Sequence, residues 1–395
     1  MRPVIAIAGG GLVGRTLAVT LASQSHLDVR LIAGPAPGPD VRASAIAAAA
    51  CAFLERVGVW SLIAADAEPI RRMVITDSAA DDLIRPELLS FDGEVGDAFA
   101  QMVPNDTLLA ALTKRCAALG IAETAARATF YTEDERAIRV ELSDGSVLDA
   151  DILVAADGRA SRLRSIAGIV AVEKAYDQWG IAGTVAHEEP HHGVATQHFL
   201  PNGPFAMLPL TGNRSSIVWT ERPGFAAELT AMDPLLAALE IERVFGLSLG
   251  RLTVEGALVA HPLKLVLTRE WSAGRLVLAG DAAHVIHPLA GQGLNMGLRD
   301  VAALAEALID AARIGEDVAQ ALPRYARRRR ADTAQMALVT DGLNAMFSRK
   351  SNAARAIRSV GLGLVERRDS LKRLFIREAA GLEGELPRLM RGEAV

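Results

Sequence analysis

Cysteine is nearly absent: Cys51 and Cys116 are the only two among 395 residues, and they have neither CxxC nor metal-ligand spacing. That leaves no cysteine metal site or redox pair to build on, and both read as reduced, buried thiols of a cytoplasmic protein. Excess positive charge is also missing. The formal net charge is −5, which argues against nucleic acid as a partner. No run reaches the roughly 18–20 uninterrupted apolar residues of a membrane span. Nothing resembles a secretory leader, because the apolar start Val4-Ile5-Ala6-Ile7-Ala8 opens directly into three glycines. What remains is a half-hydrophobic, 23% charged globular chain, long enough for two domains or one α/β domain with an insertion.

Glycine is present where phosphate chemistry needs it. Val4 to Ala8 has the length and continuous apolar character of a strand buried on both faces. Gly9-Gly10-Gly11-Leu12-Val13-Gly14 follows and fits GxGxxG, then a helical stretch from Arg15 to about Ser25 and a second strand, Val29 to Ile32. In such a βαβ unit Gly9 permits the tight turn, Gly11 lets backbone approach a pyrophosphate, and Gly14 allows close helix–strand packing. The helix N-terminus, with Leu12 and Val13, offers free N–H groups to phosphate. One part is lacking. The second strand should end in an acid for ribose hydroxyls, yet Ala33-Gly34 stands there and the next acid is Asp40.

Two further segments repeat the strand-then-turn pattern. Ala137 to Asp149 reads as a hairpin around Asp144-Gly145, and the buried strand Ile152 to Ala156 then ends in Asp157-Gly158-Arg159. An acid at the carboxyl end of a parallel strand sits where open α/β sheets bind ligands. Later, the strand Leu276 to Ala279 leads into Gly280-Asp281-Ala282-Ala283-His284, the loop Pro288 to Asn295, and a helix beginning near Gly293. A carboxylate at that strand end, here Asp281, can accept from a ribityl hydroxyl. The loop glycines let amides approach an isoalloxazine edge, where the helix dipole favours negative charge. His284 and His287 have no third ligand at metal-site spacing, so no metal is expected and His284 is read as packing within its turn.

The run GDAAHVIHPLAGQGLNMGLRD resembles the single-component FAD-dependent aromatic hydroxylases, and within them the ubiquinone-biosynthesis hydroxylase family. The resemblance extends to Asp40-Val41-Arg42-Ala43-Ser44, to Leu54 through Trp60 and to Pro69 through Met73, with Pro104-Asn105 a departure where Glu-Asn is familiar. It implies a Rossmann-like, GR2-type FAD-binding domain with an inserted α+β substrate domain and a C-terminal helical segment. The FAD-binding pieces are expected over 1–72, 101–175 and 261–340, the substrate pieces over 73–100 and 176–260, and C-terminal helices over 341–395. By position it implicates Gly9, Gly11, Leu12, Val13, Gly14, Arg42, Asp157, Gly158, Gly280, Asp281, Pro288, Gly291, Gly293, Leu294 and Asn295 in holding FAD. Pro288, Gly291, Gly293 and Asn295 form the loop beside the flavin ring, and no side-chain acid or base is assigned.

The chemistry implied is reduction of FAD by NAD(P)H or another donor, then reaction with O2 to a flavin C4a-hydroperoxide. That species hydroxylates the ring of a prenylated phenol or quinol. A second reading keeps the fold but makes the chain a non-catalytic accessory of a quinone-biosynthesis complex that binds FAD weakly, and Ala33 favours it. A hydroxylase of another aromatic substrate is the third. Arg349 to Arg377 holds nine Lys/Arg and two acids, and Val360, Leu364, Leu371, Phe375 and Leu382 form one apolar face. Such a helix fits either packing on the FAD domain or peripheral contact with the inner membrane face or a quinone-biosynthesis complex. Arg327 to Arg330 is read as solvated helix surface.

Overall fold

Continuous apolar strands call for cover on both faces, and the first strand has it. In the computed structural model Val4–Ala8 lies inside a six-stranded sheet, in the order Ser272–Ala273, Leu276–Leu278, Ile152–Ala155, Val4–Ala8, Asp28–Ile32, Ala122–Thr124. All pairs are parallel except the edge hairpin Ser272–Ala273 with Leu276–Leu278. Residues 2–35, 38–77, 87–92, 98–288, 291–347, 380–382 and 384–395 are described. Ile5, Ala6, Ile7, Leu153 and Val277 are fully buried. Trimming one such isoleucine to alanine costs about 2–5 kcal/mol.

Helix Leu12–Gln24 begins three residues earlier than its sequence pattern suggests and packs beside helix Gln292–Arg313. The hairpin expected around Asp144-Gly145 forms from Ile138–Leu142 and Val147–Ala150, with Ala128–Glu133 completing an antiparallel meander.

An eight-stranded sheet makes the second layer. Its order is His284–Val285, Leu252–Thr268, Ala171–His187, Arg214–Glu221, Gly203–Leu210, Val194–Leu200, Arg72–Asp77, Leu89–Asp92. Strands from 73–100 and from 176–260 thus meet in one sheet, Arg72–Asp77 running parallel to Val194–Leu200. Its two longest strands cross the expected boundaries at 175/176 and 260/261, since neither break falls at a turn.

The period-2 alternation of these strands separates large from small. Ile181, Phe205, Met207, Ile217 and Trp219 form a core with helices Pro223–Ala231 and Pro234–Phe245. Gly180, Ala182, Ala206 and Val218 point the other way, and their small volume leaves a hollow. A three-stranded sheet of Ala43–Ala47, Ala100–Pro104 and Glu68–Ile70 packs Ile70, Phe99 and Met102 against Ala195 and Leu210 of the large sheet. Helix Leu322–Phe347 follows. The basic segment 349–377 lies outside the described residues, and no described helix is long and apolar enough to cross a membrane.

Candidate functional site

The three glycine and acid signatures converge because each follows a strand of the parallel sheet, and the carboxyl ends of those strands lie together. Arg164, in the helix Arg162–Ile166 after the second signature, donates from Nη1 to the Ala282 carbonyl in the third at 2.9 Å. Gly9, at φ +140°, would put a Cβ 2.1 Å from the Ala156 carbonyl oxygen, so the first two signatures touch through backbone that only glycine permits. A Cβ on Gly14 would lie 1.9 Å from the Gly9 oxygen.

Between these strand ends and the small-residue face of the large sheet is a cavity of about 610 Å³. Gly11, Leu12, Val13, Arg42, Gly158, Asp281, Pro288, Gly291, Gly293 and Leu294 all line it. Gly9, Gly14, Gly280, Asp157 and Asn295 stand behind that lining. Asp157 Oδ2 accepts from the backbone N–H of Arg162 and Leu163 at 3.0 and 3.3 Å. Gly280 N–H donates to Asp300 at 3.0 Å. Asn295 Oδ1 accepts from Ala47 N–H at 2.9 Å and its Nδ2 donates to the Ala45 carbonyl at 2.8 Å, fastening the long helix to the strand Ala43–Ala47.

Two helices start at the cavity without a side-chain cap or an acid in the first turn, at Gly11 and at Gly291. Their first N–H groups have no intrahelical acceptor, so each start is suited to an anion or a polar ring edge. A Cβ on Gly11 or Gly293 would meet nothing within 4 Å, so both glycines leave backbone bare toward the cavity. This bare, donor-rich, two-ended cradle fits a dinucleotide with a flavin at one end.

Two charged groups on this wall, Asp40 and Arg42, hold each other. Arg42 pairs with Asp40 through Nε and Nη2, both at 2.7 Å, and Asn105 Nδ2 donates to the same carboxylate at 2.9 Å. Burial pushes the Asp40 carboxyl up, but Arg42 and Asn105 outweigh it and hold it below the ordinary carboxylate range. The Asp281 carboxylate opens onto the cavity yet is ringed by protein. That enclosure raises its pKa against the opposing fields of His284, Arg42 and Arg159.

Behind the third signature lies a buried ion network that sequence reasoning missed. His284 Nε2 and Arg329 Nε each donate to Asp300 at 2.7 Å, and Asp300 is fully buried. Burial pushes its carboxyl up, and His284 and Arg329 together hold it below the usual range. Trp271 stacks on the His284 ring at 5.3 Å, so this histidine ties its turn to the helix Gln292–Arg313 and to Trp271, beyond the packing within its own turn that the sequence suggests. Arg327 and Arg330 are exposed, but Arg329 is 2% exposed, which corrects the reading of all four arginines as solvated surface. The signal was present: Leu322, Tyr325 and Arg329 recur at helical spacing on one face, and the first two are fully buried.

His287 is buried edge-on against Tyr176, with ring centroids 5.2 Å apart and neither ring nitrogen hydrogen-bonded among the described residues. Burial lowers its pKa to about 4 against the pull of Asp341, so it is neutral near pH 7. Among the described residues no cluster of three His, Cys, Asp or Glu is placed to hold a metal.

The cavity floor is largely apolar, with Gln197, Ser216, Thr220, His261 and Lys264 as its polar side chains. Met73, Leu208 and Val218 line it beside Gln197, which is 6% exposed and forms no side-chain hydrogen bond among the described residues. No motif marks Gln197 in the sequence, since its role depends on which face of a strand it occupies.

Residues 2–340 match the model of the FAD binding domain family. The ubiquinone hydroxylase of Rhodospirillum rubrum is 41% identical over 98% of this chain and 92% of its own length. The 3-demethoxyubiquinol 3-hydroxylase of Escherichia coli is 36% identical over 96% of this chain and 98% of its own. Among solved structures, p-nitrophenol 4-monooxygenase of Pseudomonas putida superposes with a TM-score of 0.81 over 98% of this chain and 99% of that one, at 20% identity. That likeness shows the fold. The cradle and the relatives agree: this chain belongs to the FAD-binding-domain family and, within it, to the ubiquinone-biosynthesis hydroxylases.

Proposed function

We propose that the chain is an FAD-dependent monooxygenase that hydroxylates the aromatic ring of a prenylated phenol or quinol intermediate in ubiquinone biosynthesis. One observation carries the reading. A single cavity has a donor-rich wall of glycines and helix starts on one side and a largely apolar sheet floor on the other. When bound, FAD supplies the electron transfer and oxygen chemistry that side chains lack, with NAD(P)H or another donor as reductant and O2 as co-substrate.

The residues around it bind, orient and exclude water. The helix start at Gly11–Val13 would hold the pyrophosphate, and Arg42, fixed by Asp40, adds positive charge beside it. Asp281 would take the ribityl chain. The helix start at Gly291–Leu294 would direct its N–H groups at the ring edge and favour negative charge there. Met73, Leu208 and Val218 offer an aromatic ring a dry surface, and Gln197 one amide to fix its rotation. The basic segment 349–377 would bring the chain to the inner membrane face, where a prenylated substrate resides.

The purified chain is expected to take up FAD with the visible flavin absorption band. A strain lacking the gene is expected to accumulate a quinone precursor one ring hydroxyl short. A colourless protein that gains no flavin absorbance with added FAD overturns the reading and favours an accessory role. An unchanged quinone profile in the deletion strain overturns the substrate.

A further inference from the structure

The strand Asp28–Ile32 leads into Ala33, where a dinucleotide-binding strand of this type offers an acid, and Ala33 is only 3% exposed. Its Cβ lies against the glycine turn: a Cβ built on Gly10 would come within 2.6 Å of it. Arg15 occupies the other side of the same glycine. Its Nε donates to the Gly10 carbonyl at 2.9 Å, and its Nη2 would be 3.7 Å from that Gly10 Cβ. Nη1 and Nη2 then make paired hydrogen bonds to Glu123 Oε2 and Oε1 at 2.9 and 2.8 Å.

Glu123 belongs to the neighbouring parallel strand Ala122–Thr124 and sits level with Leu31. Residues two apart on a strand share a face, as do in-register neighbours, so Glu123, Leu31 and Ala33 face the same way. The Arg15 side chain is 10% exposed while that of Glu123 is 37% exposed, so the buried partner holds and the open partner is available. Each carboxylate oxygen has a second acceptor site beyond the one Arg15 uses. Asp40, the next acid along the chain, is already committed to Arg42 and Asn105.

We propose that Glu123, held by Arg15, accepts the adenosine ribose hydroxyls of FAD in place of the acid missing at Ala33. The inference rests on the FAD reading given above. Glu123 is then a cofactor-binding residue and Arg15 a positioning residue. The exchange moves the carboxylate to an adjacent strand without adding net charge near the pyrophosphate.

The test compares FAD with an FAD analogue lacking both adenosine ribose hydroxyls, titrated into the apo full-length chain by flavin fluorescence. The wild type is expected to bind the analogue roughly tenfold more weakly than FAD, a ratio in keeping with loss of a charge-assisted hydrogen bond. In Glu123→Ala the ratio is expected to fall to near one. Glu123→Gln keeps the side-chain volume and should move the ratio the same way if the alanine variant does not fold. A variant that loses affinity for both ligands equally, keeping the wild-type ratio, overturns the proposal, because a merely structural role moves both together. A wild-type chain that takes up no FAD removes the underlying reading as well, and the two failures are thereby distinct.

Discussion

Asp300 has no charge-neutral way to be where it is. It is fully buried, and its two side-chain partners, His284 and Arg329, are each at most 2% exposed, so removing the carboxylate leaves a guanidinium in the interior. Breaking a buried pair from one side typically costs about 3–5 kcal/mol. Asp300→Asn is therefore expected to lose stability on that scale in urea unfolding at pH 7, reduced to the extent that Asp332, which also pairs with Arg329, compensates. The pH dependence follows from the sign of the shift. A carboxyl held below its unfolded value contributes stability that is present above that value, about 3.9, and lost as pH falls through the folded one. The gap between wild type and variant should accordingly narrow in acid. A gap that is absent at pH 7, or that widens toward pH 4, would contradict the network as drawn.

At the scale of elements, the glycines of the first turn divide into two kinds. Gly9 is required by the fold, through its positive φ and its contact with the Ala156 carbonyl. Gly11 has φ −81°, ordinary for any residue, and open space where a Cβ would go. Gly9→Ala should lower the melting temperature and, with it, FAD affinity. Gly11→Ala should leave the melting temperature of the apo chain within a degree or two and weaken FAD binding alone, because its methyl projects into the cradle. The pattern GxGxxG marks both positions and cannot separate them, since the difference is set by what lies across the turn. The strands and helices of the parallel sheet were legible because their periodicity is local. Helix Leu12–Gln24 begins within the glycine motif, and the ends of Ala171–His187 and Leu252–Thr268 were not legible, because pairing across the sheet extends strands beyond their own propensity.

For the whole molecule, the cavity is a joint product of two layers that are interleaved along the chain. The parallel sheet supplies the cradle wall, and the large sheet supplies the floor. Ala206→Phe would put a ring into the floor without touching the glycine wall. The variant is expected to keep FAD affinity within about twofold while aromatic-substrate binding falls tenfold or more, given that overpacking costs typically 1–3 kcal/mol. Equal loss of both would mean that the two layers do not divide the work in this way.

The sequence by itself determined the chemistry of the wall. Gly9, Gly11, Gly14, Gly158, Asp281 and the Pro288–Asn295 loop follow strands at short spacings, and backbone donors at a helix start need no distant partner. Only the tertiary structure decided the rest. It showed that Arg329 turns inward to Asp300, that Gln197 lies on the floor, and that Glu123 stands beside the alanine where an acid was expected. These depend on which strand lies next to which and on which face of an element meets its neighbour, contacts such as that between Arg15 and Glu123, 108 positions apart, that no local spacing encodes.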